Sequence, residues 1–254
     1  NSVLKGKTEI ISMEGPHPAC TLSLAINKIA PVNKGEIVWG IPLEGIIKTG
    51  YLYKNWKWLI TKKIALVGPG WKENAFIETI NSSSIENIVR SYLKTDKKYR
   101  IISGNVLTGR KIEPDGAIGF FDNSLTTVEE VEEPEFMGWA LPSFKTFSIK
   151  PFLMRMFPLP VSTAFKFNTN MNGEERPLVV SSDYYRVFPF DDIHPAEFVK
   201  YCWAKDIDTI EQLGAYELVP EDFALCEFIC TSKFPAQKVV KEALDHLRKE
   251  EGLL

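Results

Sequence analysis

The sequence predicts an α+β chain of several domains, and three observations lead there. Between Lys63 and Lys111, short β-branched runs alternate with one amphipathic helical stripe. From Ile193 onward, helix starts and stops recur without any strand pattern. The first 60 residues or so mix strand-like runs with a helical stripe, as the tail of an α/β layer does.

The central stretch is the most regular. Lys63-Ile-Ala-Leu-Val-Gly is a strand-like run that ends in the Gly68-Pro-Gly turn. Ala75 to Ile80 alternates, with Phe76, Glu78 and Ile80 on one face and Ile77 and Thr79 on the other. Ser83, with Glu86 three residues on, has the form of a capping box. Ile85, Ile88, Val89 and Tyr92 then make an apolar helical stripe. Tyr99 to Ser103 and Asn105 to Gly109 read as two more strands around Gly104. Strand, strand, helix, strand, strand is the order of a ubiquitin-like β-grasp.

Towards the amino terminus, Thr8 to Met13 and Glu36 to Gly40 read as strands, and Gly15-Pro-His-Pro-Ala as a rigid loop with prolines on both sides of His17. Ile46, Ile47, Gly50 and Tyr51 form a helical stripe that leads into the aromatic cluster Tyr51 to Trp58. Aromatics at this density read as core, or as a seam between packed domains. Beyond the central unit, Ile118-Gly-Phe-Phe and Thr126 to Glu133 suggest paired strands. The carboxylates from Glu129 to Glu135 read as a solvated edge. In the carboxy-terminal part, Pro195 starts a helix with Phe198, Val199 and Cys202 as its stripe, Asp208 caps the next, and Gly214 ends it. Pro220 to Cys230 is a third helix. Pro235 opens the last, whose apolar face is Val239, Val240, Ala243, Leu244 and Leu247.

Composition narrows the function classes. Hydrophobic residues make up 44% and charged residues 25% of the 254 positions, ordinary values for a globular protein. A net charge of -3 argues against a nucleic-acid surface. No apolar run approaches the ~20 residues that span a bilayer, and the broken stretch Lys150 to Phe167 is interrupted by basic residues and prolines. Asn1-Ser-Val-Leu-Lys is not expected to be a signal peptide. No G-x-G-x-x-G and no P-loop occur, so a glycine loop cradling phosphates is not supported. The four cysteines are too few for a disulfide framework and read as buried thiols in a reducing compartment. The three histidines, His17, His194 and His246, offer no pairing for nucleophilic catalysis and no metal-ligand spacing.

Ile101-Ile-Ser-Gly-Asn-Val-Leu-Thr-Gly resembles the end of the soluble-ligand-binding β-grasp module (SLBB) of respiratory-chain proteins. Glu14-Gly-Pro-His-Pro-Ala, Glu135-Phe-Met-Gly-Trp-Ala and Leu225-Cys-Glu-Phe-Ile-Cys, in this order, make the whole chain resemble the A subunit of the sodium-translocating NADH:quinone reductase, related to the flavin subunit of complex I and to the C subunit of Rnf. The resemblance implies a Rossmann-like α/β part over 1–60, a β-grasp domain over 61–115, a strand and loop segment over 116–191 that completes the α/β layer and links, and a helical domain over 192–254. It also implies that an amino-terminal region of the family lies outside this chain.

Functionally, the resemblance implies a peripheral subunit on the cytoplasmic face of a bacterial inner membrane. Its partners are the other subunits of the complex, especially the membrane subunits, and the complex moves electrons from NADH to a quinone while driving sodium. Trp139 beside Gly138, with Phe144 near, suits a planar ring, and Trp139 also reads as a tryptophan packing between domains. These three and His17 are the candidate quinone-binding residues; no catalytic or metal-binding residue is assigned. His17 also reads as a structural loop histidine, and Cys20 and Thr21 to Ala25 depart there from the family pattern. Flavins and the iron–sulfur centre are expected on partner subunits. Cys226 and Cys230 share a helix face but lack the further neighbouring donors that a cluster needs. A ligand-free scaffold and an Rnf-type cluster carrier are the alternatives.

Overall fold

A computed structural model describes residues 8–19, 21–132, 165–171, 175–176 and 182–252. It divides into one unit of Ile41–Pro177 with Thr231–Lys233, and another of Asn1–Gly40, Leu178–Cys230 and Phe234–Leu254.

The first unit holds a five-stranded sheet: β1 (Thr61–Val67), β2 (Ala75–Ile80), β3 (Tyr99–Ser103), β4 (Arg110–Ile112) and β5 (Ser124–Glu129). The order is β2-β1-β5-β3-β4, with β1 and β5 parallel and the other neighbours antiparallel. This is the ubiquitin-like order, so the β-grasp expectation holds. Its centre is β5, which lies beyond the 61–115 stretch.

Period-2 alternation sends Ile64 and Leu66 of β1 inward to meet Ile101, Leu125, Trp71 and Ile118. Helix α3 (Glu86–Tyr92) covers this face with Ile85 at its start and Ile88, Val89 and Tyr92 along it. Each such side chain, removed from water, is worth about 1.5–3 kcal/mol. The Trp71 indole N–H donates to the Leu125 carbonyl at 3.0 Å, so the largest buried ring also ties the helix-side loop to the central strand. Gly68 closes β1 with φ +114°, and a Cβ there would lie 2.2 Å from the Thr127 carbonyl oxygen. Glycine is required by both criteria.

Four local expectations are corrected. Helix α3 begins after Ile85 rather than Ser83: the Ser83 hydroxyl is hydrogen-bonded to Thr79 Oγ1 at 2.9 Å, and Ser84 Oγ accepts the Glu86 N–H instead. Asn105 to Gly109 is a turn, because Asn105 Oδ1 accepts the N–H groups of Leu107 and Thr108 at 2.8 and 2.9 Å. Ile118 to Phe121 is not a strand. Its backbone is taken up by Ser103 Oγ, which accepts the Gly119 N–H, and by Lys62 Nζ, which donates to the Phe120 carbonyl at 2.9 Å. Thr8 to Met13 and Glu36 to Gly40 form no strand either, since among the described residues no partner strand lies beside them to take their backbone hydrogen bonds. The same unit as the sheet also contains helix α2 (Leu43–Asn55).

The second unit is helical: α1 (Leu22–Ile29), α4 (Tyr184–Val187), α5 (Pro195–Ala204), α6 (Ile207–Gln212), α7 (Ala224–Ile229) and α8 (Ala236–Glu250). Its core joins Phe198, Val199 and Cys202 of α5 to Val240, Ala243, Leu244 and Leu247 of α8, with Tyr184, Phe223, Cys226 and Leu24 among them. Phe198 and Phe223 stack with centroids 5.6 Å apart and planes at 15°. Pro195 occupies the first turn of α5 as expected. The cap of α6 is Asp206 rather than Asp208, its carboxylate accepting the Thr209 N–H at 3.1 Å. Gly214, in the left-handed region, follows α6 and ends it. Among the described residues no helix is long and apolar enough to cross a membrane.

Candidate functional site

His17 lies in a short turn whose backbone is closed by the N–H groups of Ala19 and Thr21, donating to the carbonyls of Pro16 and Pro18 at 2.9 and 2.8 Å. The Thr21 hydroxyl adds a bond to the Pro18 carbonyl at 2.9 Å. The turn leads directly into α1, and the imidazole is exposed, with a cis peptide bond joining it to Pro18.

At the second residue of α1, Ser23 donates to Asp222 Oδ1 at 2.5 Å, and the Val219 N–H donates to Asp222 Oδ2 at 2.8 Å. Asp222 is buried, and burial pushes its carboxyl group up to about 6, against the lowering effect of its two donors. Asn27, one helical turn on, bonds Glu217, and Lys34 pairs with Glu211 at 2.9 Å. Helix α1, which follows the histidine-bearing turn, is therefore fastened to the helical core by hydrogen bonds to carboxylates within the same unit.

A second polar group inside this core is built on sulfur. The Tyr184 hydroxyl donates to Cys230 Sγ at 3.2 Å, and Cys226 Sγ lies 4.0 Å from the Tyr184 carbonyl oxygen. All three residues are buried. Burial holds the Cys226 thiol up at about 12, and the same cause holds Cys202 up to about 12. The Tyr184 phenol is likewise raised, by burial first and by its bond to Cys230 second. At neutral pH the Cys226 and Cys202 thiols are therefore held in the neutral form. Near the surface of this unit a cavity of about 310 Å3 is lined by Asp192, Ile193, His194, Gln212, Leu213, Gly214 and Glu217. No cluster of three or more metal-ligating side chains occurs among the described residues.

Comparison with known proteins decides which family these features belong to. Residues 63–113 match the model described as the NQRA C-terminal domain, and residues 3–57 match the NqrA second alpha/beta domain. The A subunit of the Na(+)-translocating NADH-quinone reductase of Rhodopirellula baltica is 32% identical over 241 residues, 94% of this chain. Those of Vibrio parahaemolyticus and Pasteurella multocida are also 32% identical, over 93% and 95% of the chain. The chain belongs to the NqrA family. It spans about half the length of these relatives, 52 to 53% of each.

Within this NqrA-family chain the SLBB match coincides with β1 to β4 and α3, while the central strand β5 follows it. Of the four candidate quinone-binding residues, His17 is described and exposed; Gly138, Trp139 and Phe144 lie outside the described residues. The anchoring of α1 through Ser23 and Asp222 had no signal in the sequence, because the partners lie 199 positions apart. The 192–217 cavity escaped as well, since it forms from the α5 entry and the turn after α6, which only packing brings together.

Proposed function

We propose that this chain is a peripheral component of a sodium-translocating NADH:quinone oxidoreductase on the cytoplasmic face of a bacterial inner membrane, contributing to quinone binding and to assembly with the membrane subunits. The observation that carries this reading is the alignment of 93 to 95% of the chain, at about one residue in three, with relatives named as the A subunit of that enzyme. The complex passes electrons from NADH to the quinone, and the quinone takes up two electrons and two protons. This chain supplies the ring-binding surface. The residues assigned to it by type are Trp139, Gly138 and Phe144, whose aromatic rings and small neighbour suit a planar ring, and, as a separate candidate, His17, whose imidazole can donate an N–H to a quinone carbonyl oxygen.

Flavins and the iron–sulfur centre sit on partner subunits in this reading. An Rnf-type cluster needs thiolates from about four donors. Cys226 and Cys230 stand instead as a pair in the helical core, with Tyr184 bonded to one sulfur and burial opposing ionisation of the other. That environment supports packing rather than ligation.

The test is a titration with a short-chain quinone followed by tryptophan fluorescence, repeated on Trp139→Phe and His17→Ala. Saturable quenching, weakened about tenfold in Trp139→Phe, is the expected result. Linear quenching in all three proteins would assign the chain a scaffolding role without a quinone site.

A further inference from the structure

Helix α1 sits on the helical core with little apolar surface and a row of polar bonds. Of its eight residues only Ser23 and Leu24 are buried, and Leu24 alone joins the apolar cluster. Helices α5 and α8 bury five residues each. The polar bonds run from a donor on the α1 side to a carboxylate of the core: Ser23 to Asp222, Asn27 to Glu217, Lys28 to Asp191, and beyond the helix Lys34 to Glu211 and Glu251. The lysine pairs are open to solvent and contribute little. An element with so few buried apolar contacts lifts from its seat at a lower free energy than the core unfolds.

Asp222 differs from the other carboxylates of this seat. It is 2% exposed, against 95% for the Asp191 side chain. Each of its oxygens receives one uncharged donor, the Ser23 hydroxyl from α1 and the Val219 N–H from its own turn. Among the described residues the charge that acts on it is the neighbouring Glu221, of like sign, and no cation offsets it. Ionised there, the carboxylate has neither water nor a counter-charge, so the neutral acid is favoured. Lifting α1 takes Ser23 from Oδ1 and lets water reach that oxygen, which stabilises the ionised form. The His17 turn travels with the helix, because the N–H and the hydroxyl of Thr21 both donate to the Pro18 carbonyl. We propose that Asp222 is a proton-operated latch: protonated, it keeps α1 and the His17 turn on the helical core; ionised, it releases them in a local opening while the core stays folded. Burial raises this carboxyl group from 3.8 to about 6, so the seated helix is favoured in full below about pH 4 and less and less as pH rises through 6.

The test is amide hydrogen exchange on the whole chain from pH 4 to 7, corrected for the intrinsic pH dependence of exchange. The N–H groups of Ala25 to Ala30, which close α1, should open at every pH with a constant above that of the α8 amides. That constant should rise about fiftyfold across the range. Global unfolding also exposes Asp222, so the α8 constant rises too but stays below. Low urea should barely change the α1 constant, since lifting exposes little surface. In Asp222→Asn the rise should vanish. Where that variant does not fold, the Asp222 carboxyl carbon resonance of the unaltered chain should titrate near pH 6 rather than near 4. Exchange of α1 only together with α8 overturns the proposal, as does an α1 constant that is flat with pH. A rise that persists in Asp222→Asn, or a carboxyl resonance that titrates near 4, overturns it as well and gives the pH response to Glu217 or another group of the seat.

Discussion

Asp222 is a carboxyl group held away from water with one hydroxyl and one backbone N–H for company. Its pKa is raised from 3.8 to about 6 by burial, so between these values the folded chain keeps a proton that the unfolded chain has lost. The stability it contributes is therefore full below about pH 4 and is lost as pH rises through about 6, a change of about 3 kcal/mol. Denaturant midpoints measured from pH 4 to 7 should show this fall, and Asp222→Asn should flatten it. Ser23→Ala removes the donor to Oδ1 and leaves a buried oxygen without it. The expected cost is about 1–3 kcal/mol at neutral pH, with the carboxyl group pushed further up. The Tyr184 hydroxyl is a milder case. Its acceptor is a sulfur, so Tyr184→Phe should cost only about 1 kcal/mol in the same assay.

At the scale of elements, α8 and β1 carry the two cores. Helix α8 places Val240, Ala243, Leu244 and Leu247 on one buried face, and the surrounding aromatics leave little room for collapse. Leu244→Ala should destabilise the helical unit by about 2–5 kcal/mol in chemical denaturation. At the end of β1, Gly68→Ala combines a left-handed φ with a Cβ 2.2 Å from the Thr127 carbonyl oxygen. The parallel β1–β5 pairing would have to shift, and the expected loss is about 3 kcal/mol or more. Amide exchange should then rise in β5 first. The strand sits between β1 and β3, so its protection reports on both ladders.

For the molecule as a whole, the two cores are separate apolar clusters, one built on a sheet and one on helices. The thiols that could suggest a metal centre belong to the helical core, where they pack. Treatment with a chelator should leave the melting temperature unchanged. Anaerobic incubation with ferrous iron and sulfide should yield no stable chromophore near ~400 nm, the absorption expected of a cluster. A stable brown product would restore the electron-carrier reading.

Much of this was legible along the chain because it rests on local periodicity. The β-branched run of β1, the alternation in β2, the stripe of α3, Pro195 at the start of α5 and the apolar face of α8 are each specified by residues a few positions apart. The β-grasp class could be anticipated for the same reason, from the succession of strand, strand, helix and strand. Tertiary structure alone decided the rest. The segment at 124–129 became the centre of the sheet because β1 and β3 both offered it backbone partners, whereas Ile118 to Phe121 was drawn into turns by Ser103 and Lys62. Asp222 acquired its shifted proton only when the helical core buried it. The aromatic cluster Tyr51 to Trp58 could be read from sequence as core or as a seam between domains; in the fold Tyr53, Trp56 and Trp58 are exposed. Periodicity states which residues share a face, but which surface that face meets is a property of packing.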